Sequence, residues 1–157
     1  IPNVLNLSPS VYSTNQGGGA GDSRLNVRGF NQNNTAILLN GVPVNDMENG
    51  WVYWSNWDGL GDASSNIQVQ RGMSAVNLAV PSIGGTINII TDPAAAKAGG
   101  FVKQELGSWN FLKTTVNANT GKMANGLALS TTISRKTGNG FYDGTWTDAY
   151  SYYLGSA

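Results

Sequence analysis

The chain has 157 residues, 11% charged residues, 21 glycines and a formal net charge of zero. So much glycine and so little charge exclude an ordinary helical enzyme, and the absence of a basic excess argues against nucleic acid as a partner. The charge divides mildly, with four basic and six acidic residues in 1–97 and five basic and three acidic residues in 98–157. Because cysteine and histidine are both absent, disulfides and thiolate chemistry are excluded, and we expect no cofactor and no metal site.

Membrane and targeting signals further restrict the class of protein. No apolar run reaches the length of a transmembrane helix, whereas transmembrane β-strands of about ten residues, apolar at alternate positions, are compatible with the sequence. The sequence shows no signal peptide and no lipidation motif. Since it opens in mid-pattern at Ile1-Pro2-Asn3, we expect it to be a fragment of a longer mature protein.

The first elements are short. Residues 2–12 predict a brief helix followed by an extended segment, because Pro9 disfavours helix at Ser8. Residues 15–23 form a glycine-rich loop, since neither a strand nor a helix tolerates so many glycines together.

A small antiparallel meander is expected next. Residues 24–30 and 36–40 read as strands separated by a polar turn. Asn40-Gly41 is a strong signal for a tight turn into a further short strand at 42–44. The sequence therefore predicts a meander over 24–44.

A long aromatic loop interrupts this pattern at residues 46–62. The alternation of apolar and glutamine residues over 66–71 predicts a strand. A single helical turn is expected at 73–80, a buried strand at 86–91 and a short connector at 94–100.

The sequence pattern changes after Gly100 to a regular alternation of apolar and polar residues. Residues 111–120 and 127–136 alternate apolar and polar side chains, and a turn at Asn125-Gly126 joins them, with a less regular strand at 101–108. This pattern is typical of membrane strands with one face toward lipid, and equally of an ordinary soluble β-meander, because alternation alone does not separate the two. Aromatic residues that would supply an interfacial girdle are Trp109, Phe111, Tyr150, Tyr152 and Tyr153.

Four sequence blocks carry a resemblance to a known family. They are Asn26-Val27-Arg28-Gly29-Phe30, then Ile37 to Val44 (ILLNGVPV), then Gln68-Val69-Gln70-Arg71-Gly72, then Gly84 to Thr91 (GGTINIIT). In this order and at these spacings they resemble the plug domain of a TonB-dependent outer-membrane receptor, over about residues 1–92. The remaining third is similar to the first strands of the barrel that surrounds such a plug.

The resemblance implies an α+β plug domain with a small mixed sheet and short helices in residues 1–97. Residues 98–157 would then be the first antiparallel strands of a transmembrane β-barrel, about four strands of an incomplete barrel. The long tryptophan-rich loop is unlike the short loop of many family members, and its style resembles receptors from the Bacteroidetes.

The implied function is active uptake of a scarce substrate across the outer membrane of a Gram-negative bacterium, with the plug gating the barrel. A metal chelate, a cobalamin, a glycan and a peptide stay open as substrates. The implied partners are outer-membrane lipid and TonB, which grips an N-terminal box that we expect to be missing from this chain. A surface lipoprotein is a further partner that the resemblance allows.

The resemblance also implies site residues. The apical loops, here 15–23 and 46–58 and in part 76–83, would face outward and contact the ligand. The candidate ligand residues are Asn15, Gln16, Asp22, Asp46, Asn49, Trp51, Tyr53 and Trp54. The tryptophans have an alternative interpretation as packing inside the barrel. Arg28 and Arg71 would lie at the interface between plug and barrel, the alternative being surface arginines at strand ends.

Other functions find less support. The loop at 17–21 has neither the Lys-Ser/Thr of a phosphate-binding loop nor a clear preceding strand. Asp46 and Glu48 could resemble a glycosidase pair, but both sit in one loop, so we expect no enzyme and no catalytic residue. The alternatives that stay open are a surface or secreted β-rich glycan-binding module and a receptor-like structural component of an outer-membrane complex.

Overall fold

The computed structural model describes residues 1–19, 22–72 and 80–157. The chain divides into two units, each described here by itself. The first unit comprises Ile1–Gln16, Asp22–Asn56 and Ser65–Ile90, and the second comprises Gly17–Gly21, Trp57–Ser64 and Thr91–Ala157. The helical turn expected at 73–80 lies outside the described residues except for its last position, and a plug boundary at residue 97 stays a prediction.

The first unit opens with helix α1 (Pro2–Leu5), which has proline in its first turn, where the missing N–H is not needed. A three-stranded antiparallel sheet follows, in the order β1-β2-β3. Its strands are β1 (Val11–Asn15), β2 (Ser23–Val27) and β3 (Phe30–Asn31). The short helix and the extended segment expected in 2–12 are thus confirmed. The glycine-rich loop that follows contains a one-turn 3-10 helix at Gly17–Gly19, which belongs to the second unit.

The second sheet has four strands in the order β5-β4-β7-β6. They are β4 (Thr35–Leu39), β5 (Val42–Pro43), β6 (Asn66–Arg71) and β7 (Gly85–Ile90). β4 pairs with β7 in parallel, while the β4–β5 and β6–β7 pairs are antiparallel. This is the mixed sheet that the resemblance implied.

The meander expected over 24–44 is wrong. Arg28 and Gly29 adopt left-handed φ values of 54° and 82° and reverse the chain after Val27, so β2 and β3 belong to the first sheet. β4 and β5 belong to the second sheet, joined as expected by a tight turn at Asn40-Gly41 with φ values of 51° and 83°. The physical reason is that four of the five β4 residues are buried, which requires a central strand with neighbours on both sides.

The core of the first unit lies around the β4–β7 pair. Apolar side chains from helix α1, from both sheets and from the loop after β5 fill it: Leu5, Val11, Leu25, Val27, Ala36, Ile37, Leu38, Val52, Trp54, Ile87 and Ile89. β7 buries Ile87 and Ile89 on one face and Thr86 on the other, which explains its β-branched sequence by burial between two neighbouring strands.

Gly85 is the point where β7 lies closest to its neighbour β6. Its φ is +143°, and a Cβ there would lie 2.4 Å from the carbonyl oxygen of Gln70. A side chain at this position would push the two strands apart. The close approach of β6 and β7 thus requires a glycine at the second position of the Gly84-Gly85 pair.

The second unit contains the short helix α2 (Leu60–Ala63) and a four-stranded antiparallel sheet in the order β11-β10-β9-β8. The strands are β8 (Gly99–Gly107), β9 (Phe111–Lys122), β10 (Ala128–Asn139) and β11 (Trp146–Ser156). Across the described residues, no helix has the length and apolar character needed to cross a membrane.

This sheet has its apolar side chains outside and its polar side chains inside. On β10, Ile133 is 56% exposed whereas its neighbour Thr132 is 3% exposed, and on β9 Val116 is exposed whereas Thr115 and Asn117 are buried. The arrangement is the reverse of a soluble sheet and is typical of strands whose outer face meets lipid. The alternation predicted for these strands is confirmed.

Two aspartates of the segment 57–64 bind lysines on the polar face of the sheet. Asp62, whose side chain is 7% exposed, accepts hydrogen bonds from Lys103 at 2.8 Å and from Lys113. Asp58 accepts hydrogen bonds from Lys136 at 2.7 and 2.8 Å. These ion pairs attach the segment to three consecutive strands.

Replacing Asp62 with Asn should destabilise the second unit by about 2 kcal/mol, because both lysines lose their carboxylate. Burial of the Asp62 carboxyl raises its pKa, but the two lysines outweigh burial and hold the pKa below its usual 3.8. The stabilisation is therefore complete above the ordinary pKa and is lost as pH falls below about 4 through the folded value. Denaturant unfolding at pH 7 and at pH 3 checks this, with the exposed Asp143→Asn as control. Equal sensitivity of both variants at pH 7 would contradict it.

Replacing Gly85 with Ala should destabilise the first unit by more than about 2 kcal/mol, since the new Cβ meets the backbone of β6 as well as an unfavourable φ. The matched control is Gly41→Ala, where φ is +83° but nothing lies within 4 Å of the added Cβ. Its expected cost is about 1 kcal/mol. Unfolding followed by tryptophan fluorescence compares the two, and a Gly85 variant no worse than the Gly41 variant would show that the strands can separate freely.

Candidate ligand-binding site

A cavity of about 270 Å³ opens in the first unit between the end of β1, the start of β2 and the loop after β5. Five residues proposed from the sequence as ligand contacts line it: Gln16, Asp22, Asn49, Trp51 and Tyr53. Side chains from both predicted apical loops therefore meet around one cavity. Their contact with a ligand stays a prediction.

Asp46 shapes the loop rather than lining the cavity. Its carboxylate Oδ1 accepts hydrogen bonds from the backbone N–H groups of Glu48 at 2.9 Å and Asn49 at 3.0 Å. Its own N–H donates to the carbonyl oxygen of Trp51 at 2.8 Å. Such side-chain turns fix the backbone of a loop locally. This turn fixes the backbone positions of Asn49 and Trp51.

Asn49 orients the two aromatic residues of the cavity. Its amide oxygen accepts the backbone N–H of Trp51 at 2.8 Å, and its Nδ2 donates to the Tyr53 hydroxyl at 2.9 Å. One amide thus bonds the backbone of Trp51 and the hydroxyl of Tyr53, and neither bond uses an aromatic face.

Gln32 is a cavity residue that the sequence analysis missed. It is 2% exposed, donates from Nε2 to the carbonyl oxygen of Val52 at 3.2 Å, and accepts the indole N–H of Trp54 at 3.0 Å. It lay in a stretch interpreted as a polar turn, and nothing in that stretch marked it as buried. Its amide attaches the loop after β5 to the buried interior through Val52 and Trp54.

Asn45 fastens the other end of the loop to the central strand. Its Oδ1 accepts the N–H of Ile37 at 2.8 Å, and its Nδ2 donates to the carbonyl oxygens of Thr35 at 3.1 Å and Gly50 at 2.9 Å. The amide thereby continues the hydrogen bonding of β4 after β5 has ended. This buried residue was also missed.

The remaining proposed ligand residues lie beside or beneath the cavity. Trp54 is 5% exposed and belongs to the core, with its indole bonded to Gln32. Asn15 is exposed at the end of β1, where its amide oxygen accepts the Ser23 hydroxyl at 3.3 Å. Their direct contact with ligand stays a prediction.

The cavity carries one cation and one anion among its described residues. The guanidinium of Arg24, also missed, lies 5.8 Å from the centre of the Trp51 ring. The Asp22 carboxylate accepts the N–H of Ser55 at 3.1 Å. Aromatic faces bordered by amides and balanced charges can stack a flat or apolar portion of a molecule and hydrogen-bond its polar edge. In the described part of the chain no cluster of acidic residues is placed to hold a metal ion.

The two arginines proposed for the plug–barrel interface both belong to the first unit, and the side chain of Arg28 lies near Gly72, the residue after Arg71. Arg28 lies in the turn after β2, and its Nη1 would be 3.0 Å from a Cβ at Gly72, which follows Arg71 at the end of β6. Neither forms an ion pair with any residue that the structure describes. Their role at the interface stays a prediction, and residues 76–79 of the loop at 76–83 lie outside the described residues.

Comparisons with known proteins identify the family of this chain. The family model of the TonB-dependent receptor plug domain matches residues 1–100. The ferric enterobactin receptor of Pseudomonas aeruginosa is 31% identical over 113 residues, which are 64% of this chain and 15% of the relative. The vitamin B12 transporter BtuB of Vibrio vulnificus is 29% identical over 131 residues, which are 79% of this chain and 21% of the relative.

Among solved structures, the pyoverdine outer membrane receptor FpvA from Pseudomonas aeruginosa, bound to pyoverdine, superposes with a TM-score of 0.70 at 18% identity. The match covers 98% of this chain and 22% of that receptor, so the fold includes strands β8–β11 as well as the plug. The chain spans about a fifth or less of the length of the curated relatives.

The relatives are named as receptors and a transporter, not as enzymes. The chain is located in the outer membrane of a Gram-negative bacterium, as such receptors are. Since the family model matches well over half of its residues, the chain belongs to the TonB-dependent receptor plug domain family.

Proposed function

We propose that this chain is the plug and first barrel strands of a receptor that takes up a scarce substrate across the outer membrane, driven through TonB. The observation that carries the proposal is the cavity lined by residues of both apical loops, in which Asn49 bonds the backbone of Trp51 and the hydroxyl of Tyr53. The family membership supports the same function. The chain supplies no catalytic arrangement in this proposal.

The cavity is suited to one portion of a larger ligand. A volume of about 270 Å³ lies just below the usual range for a complete drug-sized ligand. Aromatic faces stack on sugars, flat chelates and macrocycles alike, so metal chelates, cobalamins, glycans and peptides stay candidate substrates. The relatives named for ferric enterobactin and vitamin B12 favour testing the chelates and cobalamin first.

In this proposal the receptor binds its ligand from the outside of the cell. The plug blocks the lumen of the barrel until TonB supplies the energy to move it. The outer membrane has no ATP, so TonB would transmit the energy of the inner-membrane proton gradient through an N-terminal box. A surface lipoprotein would be an additional partner for ligand capture.

The uptake proposal is tested with the full-length receptor in its own membrane. Uptake of ferric enterobactin, ferripyoverdine, vitamin B12, a maltooligosaccharide and a short peptide would be measured in cells with and without the receptor, and with and without TonB. Uptake of one probe that needs both proteins supports the proposal. A parent protein released from cells without detergent would contradict it and favour a surface glycan-binding module.

The double variant Trp51→Ala/Tyr53→Ala should weaken binding of the transported probe by about tenfold or more, because two stacking faces are removed. The matched control is Tyr12→Ala, an exposed aromatic residue on β1 outside the cavity. Titration calorimetry on the purified receptor measures both. Unchanged affinity in the double variant would mean that these rings only pack.

Gln32→Met should weaken binding of the same probe through the loop rather than through direct contact. The variant keeps the side-chain volume but leaves the Trp54 N–H and the Val52 carbonyl buried without partners, at a cost of about 2–4 kcal/mol in stability. Gln68→Met, on the exposed face of β6, should change stability by less than about 0.5 kcal/mol. If affinity holds at a temperature where the Gln32 variant is folded, Gln32 supports the core alone.

A further inference from the structure

Arg24 lines the cavity of the first unit without a partner for its charge. It stands on β2, and the cavity around it includes Gln16 and the aromatic residues of the loop after β5. Among the residues that the structure describes, its guanidinium forms no ion pair and no hydrogen bond, and its contact is with the Trp51 ring, whose centre lies 5.8 Å away. Because a guanidinium carries five N–H donors, the cavity holds a set of donors that no described residue uses.

The sheet supplies Arg24 with no acidic neighbour. The buried positions of β2 alternate with Arg24 and Asn26, so these two side chains share the other face of the strand. The β1 residues paired with them are Thr14 and Tyr12, and neither carries a charge at neutral pH. The cross-strand contacts that usually compensate a charged residue in a sheet are therefore absent around this arginine in the described structure.

Asp22 is the acid among the described residues that line the cavity, and its carboxylate is engaged with the backbone. Its Oδ1 accepts the backbone N–H groups of Ser23 at 3.3 Å and of Ser55 at 3.1 Å. These two N–H groups offset part of the negative charge at this oxygen. Asp22 forms no ion pair with Arg24, so the positive charge of Arg24 stays without a direct partner in the described structure.

Tyr53 adds a second donor to the same cavity. Its hydroxyl oxygen accepts Nδ2 of Asn49 at 2.9 Å, which leaves the hydroxyl proton available to another acceptor. Trp51 and Tyr53 also supply aromatic surface there. A cation and a hydroxyl donor beside aromatic rings complement a molecule whose negatively charged oxygens are joined to a flat or apolar portion.

We propose that Arg24 selects substrates that carry an anionic oxygen group, a carboxylate or a phosphate, on a flat or apolar portion. The anionic oxygens accept N–H groups of Arg24 and the hydroxyl of Tyr53, while the flat portion packs against Trp51. The inference rests on the proposed function, because it narrows the substrate class of the same cavity. Among the candidate substrates it favours molecules with such an anionic group over uncharged ones.

The test is the binding of three small probes to the full-length receptor in detergent at pH 7: benzoate, phenyl phosphate and the uncharged benzamide. Titrations followed by ligand-observed NMR give the affinity for each probe. The wild type should bind at least one of the two anions about fivefold or more tightly than benzamide, because a hydrogen bond from a charged donor to a charged acceptor is stronger than one between neutral groups. The comparison of benzoate with phenyl phosphate identifies which anionic group the cavity prefers.

Variants assign the preference to one side chain. Arg24→Gln should bind the anions no better than benzamide, and Arg24→Lys, which keeps the charge without the planar fork, should keep an intermediate preference. Lys122→Gln removes the same charge from an exposed position on β9 outside the cavity, so it is the matched control and should leave the preference unchanged. Trp51→Ala should weaken all three probes alike, since it removes the ring and leaves the charge.

A wild type that prefers neither anion overturns the proposal, and so does an Arg24→Gln variant that keeps the preference. Because Arg24 is exposed and forms no ion pair in the described structure, its variants leave no buried group unpaired and are expected to fold. The binding measurement needs neither TonB nor transport. A receptor that shows the preference but takes up no substrate would therefore refute the proposed function alone, and one that transports without the preference would refute this inference alone.

Discussion

The parallel pairing of β4 with β7 is the constraint on which the rest of the first unit depends. It buries Ile37, Ile87 and Ile89 completely, and it requires β4 to lie between two other strands. The loop that carries the aromatic residues is fastened to this same strand, because Asn45 bonds to its backbone where β5 has ended. A candidate ligand site is thereby built on the most buried strand through one side-chain amide.

In the second unit the usual pattern of burial is reversed, with polar side chains buried and apolar side chains exposed. Hydroxyl and amide side chains such as Thr115, Asn117 and Thr132 are buried and apolar ones are exposed, which costs free energy in water and gains it only when lipid covers the outer face. Buried polar groups must then find one another, as Asn117 does when it donates to the Thr132 hydroxyl at 2.8 Å. An apolar face toward lipid and a polar face whose groups hydrogen-bond one another together characterise these strands.

Much of the fold was predictable from the sequence because periodicity and turn chemistry act locally. The strand at 66–71, the Asn40-Gly41 turn and the alternating strands after Gly100 follow from such signals. Strand partners do not, since the assignment of β2–β3 and β4–β5 to different sheets depends on what each strand buries. The same holds for the candidate site. Trp51 was predictable as a ligand contact because it is an aromatic residue in a loop, whereas the role of Gln32 depends on a contact with Val52, twenty residues away in sequence.

The lysines beneath segment 57–64 have a consequence for how that segment can leave. Lys113 and Lys136 are directly opposed partners on β9 and β10, a like-charge pairing that is unfavourable without counter-ions. Asp58 and Asp62, four residues apart in sequence, are the counter-ions, and among the described residues Glu105 on β8 is the other acid that pairs with these lysines. The segment therefore cannot detach as an electrically neutral piece: its departure would leave a positively charged wall, which chloride, phosphate or the anionic groups of a passing solute would have to neutralise.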